Sequence, residues 1–542
     1  MTQYNEDMLK NLDKESLIDL YLGLQDQMIK TNQNMENLIE QIRIAQNYRF
    51  GRSTEKGITD GQGYLSGNGE DILYFNEAEA DSNEKEPEPT LKKVLKHRPR
   101  PKGKRDEDLK DLPVEKIRHE LSEEKLHEIF GDAWKTLPDE VYKRLRFCPS
   151  TFVVEEHHIA VYAAMDEGKQ EKVIVKADRP KDLLRNSIAT PSLVAGIMNA
   201  KYTNGTPLYR IEADLERREI HLSRATMANW MIRCSENCLS LLYDRLHREL
   251  FRYHVLQADE TPVEVSKDGR SAGTKSYMWV YRTGIMHKNH PIVLYDYQKT
   301  RKADHPETFL KGFSGVLVTD GYQVYHTMEN QRLRDQEENL TVAGCWSHAR
   351  RRFADVVRTM TREASKGTLA YQALDMIQAM YKLDGSFSGQ PAEERLKMRQ
   401  TTLKPMVEAF FAWIRMNQPD VPPKSATGKG FTYCLNQEKY LKAFLNDPEI
   451  PMDNNGAERA IRGFCIGRKN WVMIDTIHGA QASAIIYSLV ETAKANDLKI
   501  YEYLEYLLTE IPQHEDDKNL DFLDDLLPWS EKLPERCRKT NN

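Results

Sequence analysis

Three short acidic motifs hold the residues best suited to chemistry: Ala258-Asp-Glu-Thr-Pro262, Thr319-Asp-Gly-Tyr322 and Asp453-Asn-Asn-Gly-Ala-Glu-Arg459. Each contributes one carboxylate, Asp259, Asp320 or Glu458, where a strand or helix could aim it at a common point. Three converging carboxylates suit two Mg2+ ions, with Mn2+ as a substitute. Such hard cations take oxygen ligands and keep positions open for water and substrate phosphate. The chemistry would be phosphoryl transfer on nucleic acid. Taken singly, each acid has a plainer reading. Asp259 could bond Thr261 within its strand, Asp320 could serve a turn, and Glu458 could close a capping box with Asn455.

A second dense motif runs Gly344-Cys-Trp-Ser-His-Ala-Arg-Arg-Arg-Phe353. Cys345 and His348 have the spacing of half a zinc site, but no second pair lies near them, so no zinc is expected. Cys345 instead reads as buried at a strand end, with His348 beside the carboxylates. Arg350, Arg351 and Arg352 then face DNA phosphates or form a solvated basic helix face. Around the last acid, Arg459, Arg462, Arg468 and Lys469 crowd one helix. Glu458 and Arg462 are four apart and share a face, which sets a metal ligand beside a phosphate contact.

The elements that must position these groups follow from periodicity. His254 to Val265 alternates as a strand, Tyr277 to Arg282 and Ile292 to Tyr297 follow it, and Val316 to Thr319 and Val342 to Cys345 are short apolar strands. The pattern predicts a mixed sheet with helical connections. Upstream, Pro191 opens a helix, Leu208 to Glu216 forms another, and Ser223 caps a third. The last two resemble a helix-turn-helix offering Arg224, Thr226 and Asn229 to DNA, with an ordinary helical hairpin as the alternative.

Length and composition bound the rest. The chain has 542 residues, of which 40% are hydrophobic and 30% charged. That length suggests several domains, and no apolar run approaches the roughly 20 residues that cross a bilayer. The polar start from Met1 to Lys10 does not resemble a secretory signal. Seven cysteines, at 148, 234, 238, 345, 434, 465 and 537, show no CxxC pair, which fits a reducing, cytoplasmic setting. The net charge of -6 does not exclude DNA, because binding depends on local basic patches. Leu91 to Arg105 is such a patch. Its Arg98, Arg100, Lys102, Lys104 and Arg105 form either a solvated linker or an arm that tracks phosphates.

Near the start, Leu17, Tyr21, Leu24, Met28, Thr31, Met35, Leu38, Ile42 and Ala45 repeat at 4,3 spacing, an a/d seam for a partner helix or for its own domain. Residues 51 to 90 turn acidic and lose periodicity, as a linker would. Alternation at Phe152, Val154, Ile159 and Val161 hints at a hairpin in a small α+β unit.

In this order the motifs resemble the insertion sequence sixty-six family of transposases. The resemblance rests on Arg49-Phe-Gly-Arg-Ser-Thr-Glu-Lys56, Phe75-Asn-Glu-Ala-Glu79, the basic arm, the three acidic motifs and Gly344-Cys-Trp-Ser-His348. It implies a ribonuclease-H-like catalytic domain with a DDE triad at Asp259, Asp320 and Glu458, and a helical insertion before the last acid. It also implies cleavage at the terminal inverted repeats and transfer into target DNA, by a homodimer or higher oligomer aided by small accessory proteins of the same element. Rival expectations are a structure-specific nuclease of the same fold and a DNA-binding scaffold. Family members commonly carry a cysteine-rich zinc segment after the basic arm, whereas here Phe147-Cys-Pro149 holds a lone cysteine. Cys465 also stands where many DDE transposases have Lys or Arg.

The expected organisation is α/β and multidomain. It comprises a coiled-coil helix (8–50), an acidic then basic linker (51–108), a small α+β unit (109–180) and a helical DNA-binding region (181–248). The catalytic domain follows (249–353 and 451–510), divided by the helical insertion (354–450), and a tail ends the chain (511–542).

Overall fold

The computed structural model describes residues 13–50, 151–163, 174–177, 181–271, 273–335 and 339–539. The acidic linker, the basic arm with Arg98, Arg100, Lys102, Lys104 and Arg105, and most of the 109–180 unit lie outside them. Contacts divide the chain into two units, Met1–Ala80 with Asp182–Lys539, and Asp81–Lys181 with Thr540–Asn542.

The N-terminal segment is one helix, α1 (Lys14–Phe50). Its positions Leu17, Tyr21, Leu24, Met28, Met35, Leu38 and Ile42 are all exposed, so the apolar seam read from the sequence faces solvent in the single chain. In the smaller unit, β1 (Val161–Ala163) pairs antiparallel with β2 (Ile174–Lys176). This corrects the expected hairpin, in which Phe152 and Val154 formed the first strand. Val154 is 91% exposed, so alternation there has no buried face to satisfy and pairing shifts to Val161.

After residue 182 the larger unit resumes with α2 (Pro191–Met198), capped by the Thr190 hydroxyl on the Leu193 amide. Helices α3 (Leu208–Glu216) and α4 (Arg224–Cys234) follow, then α5 (Ser240–Leu250). As expected, the Ser223 hydroxyl caps α4 by accepting from the Thr226 amide at 3.2 Å. Leu215, Leu222, Met227 and Trp230 join the core.

A mixed sheet follows. The central strand β3 (Val255–Lys267) lies antiparallel to β4 (Lys275–Thr283), which is antiparallel to β5 (Val293–Gln298). On the other side, β6 (Gly315–Val318) runs parallel to β3, and β7 (Leu340–Ala343) runs parallel to β6. Parallel neighbours need crossovers, supplied by α6 (Asp304–Phe309) and α7 (Gln323–Asp335). The order is β5-β4-β3-β6-β7, and a short β8 (Ile474–Thr476) pairs with the far end of β3.

Strand alternation divides the core into two layers. On β6, Leu317 enters one apolar cluster, while Val316 and Val318 enter the other. The second cluster is built by α8 (Trp346–Val357), α9 (Leu369–Ser386), α10 (Lys404–Asn417) and α11 (Ala426–Asn436), with Trp346, Phe353, Phe410, Phe411 and Phe431 at its centre. Arg399 is buried there. Its guanidinium pairs with Asp384 and donates to the carbonyls of Phe444, Asp447 and Ile450, which fixes the loop returning to the sheet.

The first cluster is covered by α12 (Asn455–Trp471), α13 (Ile477–Ala495) and α14 (Ile500–Glu510). Ser488 and Thr492 of α13 accept the amides of Tyr295 and Val293, docking that helix on β5. Residues beyond 510, read from the sequence as a tail, pack inward, with Leu523, Leu526, Leu533 and Cys537 buried.

Candidate metal centre

Two of the three acids are brought level by strand register. In the β3–β6 pair Gln257 stands opposite Val318, and carrying that parallel register two residues onward sets Asp320 beside Asp259. Neighbouring strands lie about 4.8 Å apart. Asp259 Oδ1 accepts the Glu260 amide at 2.9 Å, so the bond to Thr261 considered for it is not the one formed. The Thr261 hydroxyl instead accepts from Arg468 at 3.2 Å. After Asp320 the chain turns at Gly321, whose φ of +90° suits glycine. Asp320 Oδ1 accepts the Tyr322 amide at 2.9 Å, and its carbonyl accepts the Tyr433 hydroxyl of α11 at 3.0 Å.

The third acid is delivered by Asn454, which is buried just before α12. Its side-chain amide donates to the Ala258 carbonyl at 2.7 Å and accepts from Gln257 at 3.3 Å, while its backbone N–H donates to Cys345 Sγ at 3.2 Å. One side chain thus ties the strand carrying Asp259 to the helix carrying Glu458. Gln257 also packs closely on Gly456, where a Cβ would meet its Oε1 at 2.3 Å. Arg282 on β4 donates to the Gly456 carbonyl at 3.0 Å, and the Tyr295 hydroxyl on β5 donates to that of Ala460 at 2.7 Å. The capping-box reading of Glu458 is excluded. Asp453 Oδ1 satisfies the Asn455 amide, and the Glu458 carboxylate turns toward α8, with Arg351 at 3.1 Å and His348 Nδ1 at 3.6 Å.

The electrostatics fit a cation. Burial raises the Asp259 carboxyl well above the usual carboxylate range, Glu260 and Asp320 push it further, and Glu458 adds to this. Like charges gathered in a desolvated place resist ionisation unless a positive ion joins them. Glu458 Oε1 and His348 Nδ1 are both buried without a hydrogen-bond partner, although such atoms are normally satisfied. Burial also lowers the His348 imidazole, against the pull of Glu458, which favours the neutral, ligating form. Cys345 Sγ lies within 4.8 Å of the ligand atoms of both. Its thiol, pushed up by burial, already accepts the Asn454 amide.

Sequence reasoning missed the supports of this site. Glu260 is buried beside Asp259 and accepts from Arg301 Nε at 2.7 Å and the Tyr325 hydroxyl at 3.2 Å. The Arg301 guanidinium stacks 3.7 Å above the Tyr322 ring, and its carbonyl accepts the Tyr322 hydroxyl at 2.8 Å. Glu260, Arg301 and Tyr322 therefore connect the Asp259 strand to the Asp320 turn. The signal available was the second acid of Asp-Glu-Thr, which strand alternation turns away from the first.

The basic residues expected to meet DNA divide in two. Arg351 is engaged with Glu458, Arg352 lies 4.3 Å over the Tyr433 ring, and Arg468 is held by Thr261 and the Pro262 carbonyl. Arg350 and Arg462 are half-buried, and burial, then Arg459 and Arg351 against the pull of Glu458, lowers Arg462. Arg459, Lys469 and Asn229 are exposed. The exposed Arg224 has its amide on Glu212 at 2.9 Å and its guanidinium 3.9 Å from the same carboxylate.

An α/β unit thus sets Asp259 within β3 and Asp320 just past the carboxyl end of β6, where β3 has an antiparallel neighbour on one side and a parallel one on the other. The chain belongs to the IS66 transposase family, whose model, described as Transposase IS66 family, matches residues 186–482. An IS66 C-terminal element matches 488–529, and a segment described as Transposase C of IS166 homeodomain matches 37–117. Similar proteins occur in Sinorhizobium fredii (strain NBRC 101917 / NGR234). The uncharacterized protein y4qI is 30% identical over 364 residues, 66% of this chain and 66% of y4qI, just short of two thirds of its length. The uncharacterized protein y4jD is 29% identical over 365 residues, 67% of this chain and 70% of y4jD. Membership supports a transposase role and contact with DNA. Among the described residues no helix is long and apolar enough to cross a membrane.

Proposed function

We propose that the chain is a DDE transposase that cuts DNA at the ends of its own element and joins them to a target. The observation that carries this reading is the buried Asp259 carboxyl, raised by burial and by the charges of Glu260, Asp320 and Glu458, together with Glu458 Oε1 and His348 Nδ1 left unmatched. Asp259, Asp320 and Glu458 would hold Mg2+ or Mn2+, which when bound supplies nucleophile activation and neutralises charge on the phosphate under attack. Asn454 and the Glu260–Arg301–Tyr322 chain keep the acids in register. His348 and Arg351 face Glu458 from α8, where Arg351 can turn from the carboxylate to a substrate phosphate. Exposed Arg459 and Lys469 extend the positive surface along α12. The sheet and its helices are read as ribonuclease-H-like. The partners are the terminal inverted repeats and target DNA in the cytoplasm, met by an oligomer joined through the α1 seam and aided by accessory proteins of the same element.

The test incubates purified protein with labelled inverted-repeat ends and target plasmid under Mg2+ or Mn2+. Cleavage leaving a 3'-hydroxyl, followed by a joined product, is expected. Cleavage of pre-nicked and intact ends with no joining would favour a nuclease of the same fold. Binding with no cleavage would favour a scaffold.

A further inference from the structure

A second group of metal-ligating side chains lies away from the triad, where the helical insertion returns to the sheet. His254 immediately precedes β3, His287 lies in the β4–β5 connection, and Asp447 and Glu449 flank Pro448 in the returning loop. His254 Nε2 is 2.6 Å from Asp447 Oδ2, and His287 Nε2 is 3.5 Å from Glu449 Oε2. Ligand atoms of His254, Asp447 and Glu449 all lie within 4.8 Å of one another. Tetrahedral zinc with bonds of about 2.1 Å sets its ligand atoms about 3.4 Å apart, a spacing close to that of this set.

Two further observations mark the group as prepared rather than incidental. The returning loop is fixed from below by Arg399, which donates to the carbonyls of Asp447 and Ile450. Asp447 Oδ1 accepts the Glu449 amide at 2.8 Å, which leaves Oδ2 to face His254. In addition, His287 Nε2 is a buried ring nitrogen without a hydrogen-bond partner, close to a carboxylate. A proton on that nitrogen could serve Glu449 only across a long gap, whereas a metal ion would engage both.

We propose that His254, Asp447 and Glu449, completed by His287, bind one zinc-like divalent cation. Two neutral imidazoles and two carboxylates match the charge and ligand preference of Zn2+, while Mg2+ prefers oxygen alone. The ion clips the exit of the insertion to the strand that carries Asp259. This role is separate from the catalytic reading and stands whether or not the chain transposes DNA.

The test uses the full chain, stripped with chelator and titrated with Zn2+ in excess Mg2+, with bound metal counted after dialysis and Co2+ used as a coloured substitute. One zinc equivalent is expected, together with visible Co2+ absorption. Both should persist in Cys345→Ser/His348→Ala. Affinity should fall by about 10- to 100-fold or more in His254→Ala/Glu449→Gln, the range reported for lesser damage around metal sites. The single variant Glu449→Gln, at a partly exposed side chain, gives the same direction of change if the double variant fails to fold. A chain that binds no zinc, an equivalent that survives Glu449→Gln with unchanged affinity, or one lost with Cys345→Ser would each overturn the assignment.

Discussion

Two clusters of histidine and carboxylate lie at successive points along β3, and they differ in what their acids already hold. At the triad, Asp259 is crowded by Glu260 and Asp320, and Glu458 keeps one oxygen unmatched. At the insertion's return, Asp447 and Glu449 each face a histidine. The first arrangement carries strain that substrate and metal can relieve. The second pairs each acid with a histidine and suits a structural tie. Polar groups left unmatched by an otherwise consistent fold mark the place where chemistry is expected.

The comparison is broken most severely at the triad. Glu458→Gln or Asp320→Asn should remove several kcal/mol of transition-state stabilisation, roughly 10^3-fold or more in cleavage rate, with binding of inverted-repeat DNA retained in a gel-shift assay. Comparable cleavage by these variants would show that the acids are structural. Asn454→Ala should come next, because it takes the side-chain donor from the Ala258 carbonyl and leaves the Gln257 amide with the Asp453 carbonyl alone. A loss of about 2–3 kcal/mol is expected from denaturant titration, and a variant as stable as the parent would refute the linking role of Asn454.

Glu260→Gln should have a smaller effect. It weakens a buried charge-assisted contact, but Arg301 is 39% exposed and water compensates part of the loss, leaving about 1–2 kcal/mol. The Mn2+ concentration that half-saturates cleavage should rise as the turn at Asp320 loosens; an unchanged metal requirement would confine Glu260 to stability. The smallest effect is one of pH. Without metal, Asp259 holds its proton more tightly folded than unfolded. Its stabilising contribution is therefore complete below an unfolded value of about 3.9 and is lost as pH rises through the raised native value. A divalent cation replaces that proton, so the increase in melting temperature given by Mg2+ should grow as pH rises from the unfolded carboxylate value toward the raised native one. An increase that shrinks over this range would contradict the burial of Asp259.

The strands were legible in the sequence because alternation in β3 and apolar runs in β6 and β7 admit little else. Ser223 and Pro191 similarly announced α4 and α2. The hairpin in the smaller unit was misplaced, since alternation at Phe152 and Val154 is informative only where a buried face exists. The three acids were legible through their order along the chain more than through local signals, each of which also fitted a turn or a cap. Gln257, Asn454, Arg301 and Tyr433 were not legible, because their partners lie far away in sequence and only the folded register brings them together. The same holds for His254, His287, Asp447 and Glu449, whose spacing follows no ligand pattern.

The placement of the insertion also sets an order in time. Strands β3 to β7, Asp259 and Asp320 are all synthesised before the insertion, whereas Glu458 and its anchor Asn454 emerge about 140 residues after Asp320. At about 5–20 residues per second that interval is of order ten seconds. On the proposed function, the nascent chain is chemically silent throughout it. The capacity to cut DNA arrives only after the insertion has been made and α12 has closed onto β3, so a polypeptide broken off during translation is released as a harmless fragment.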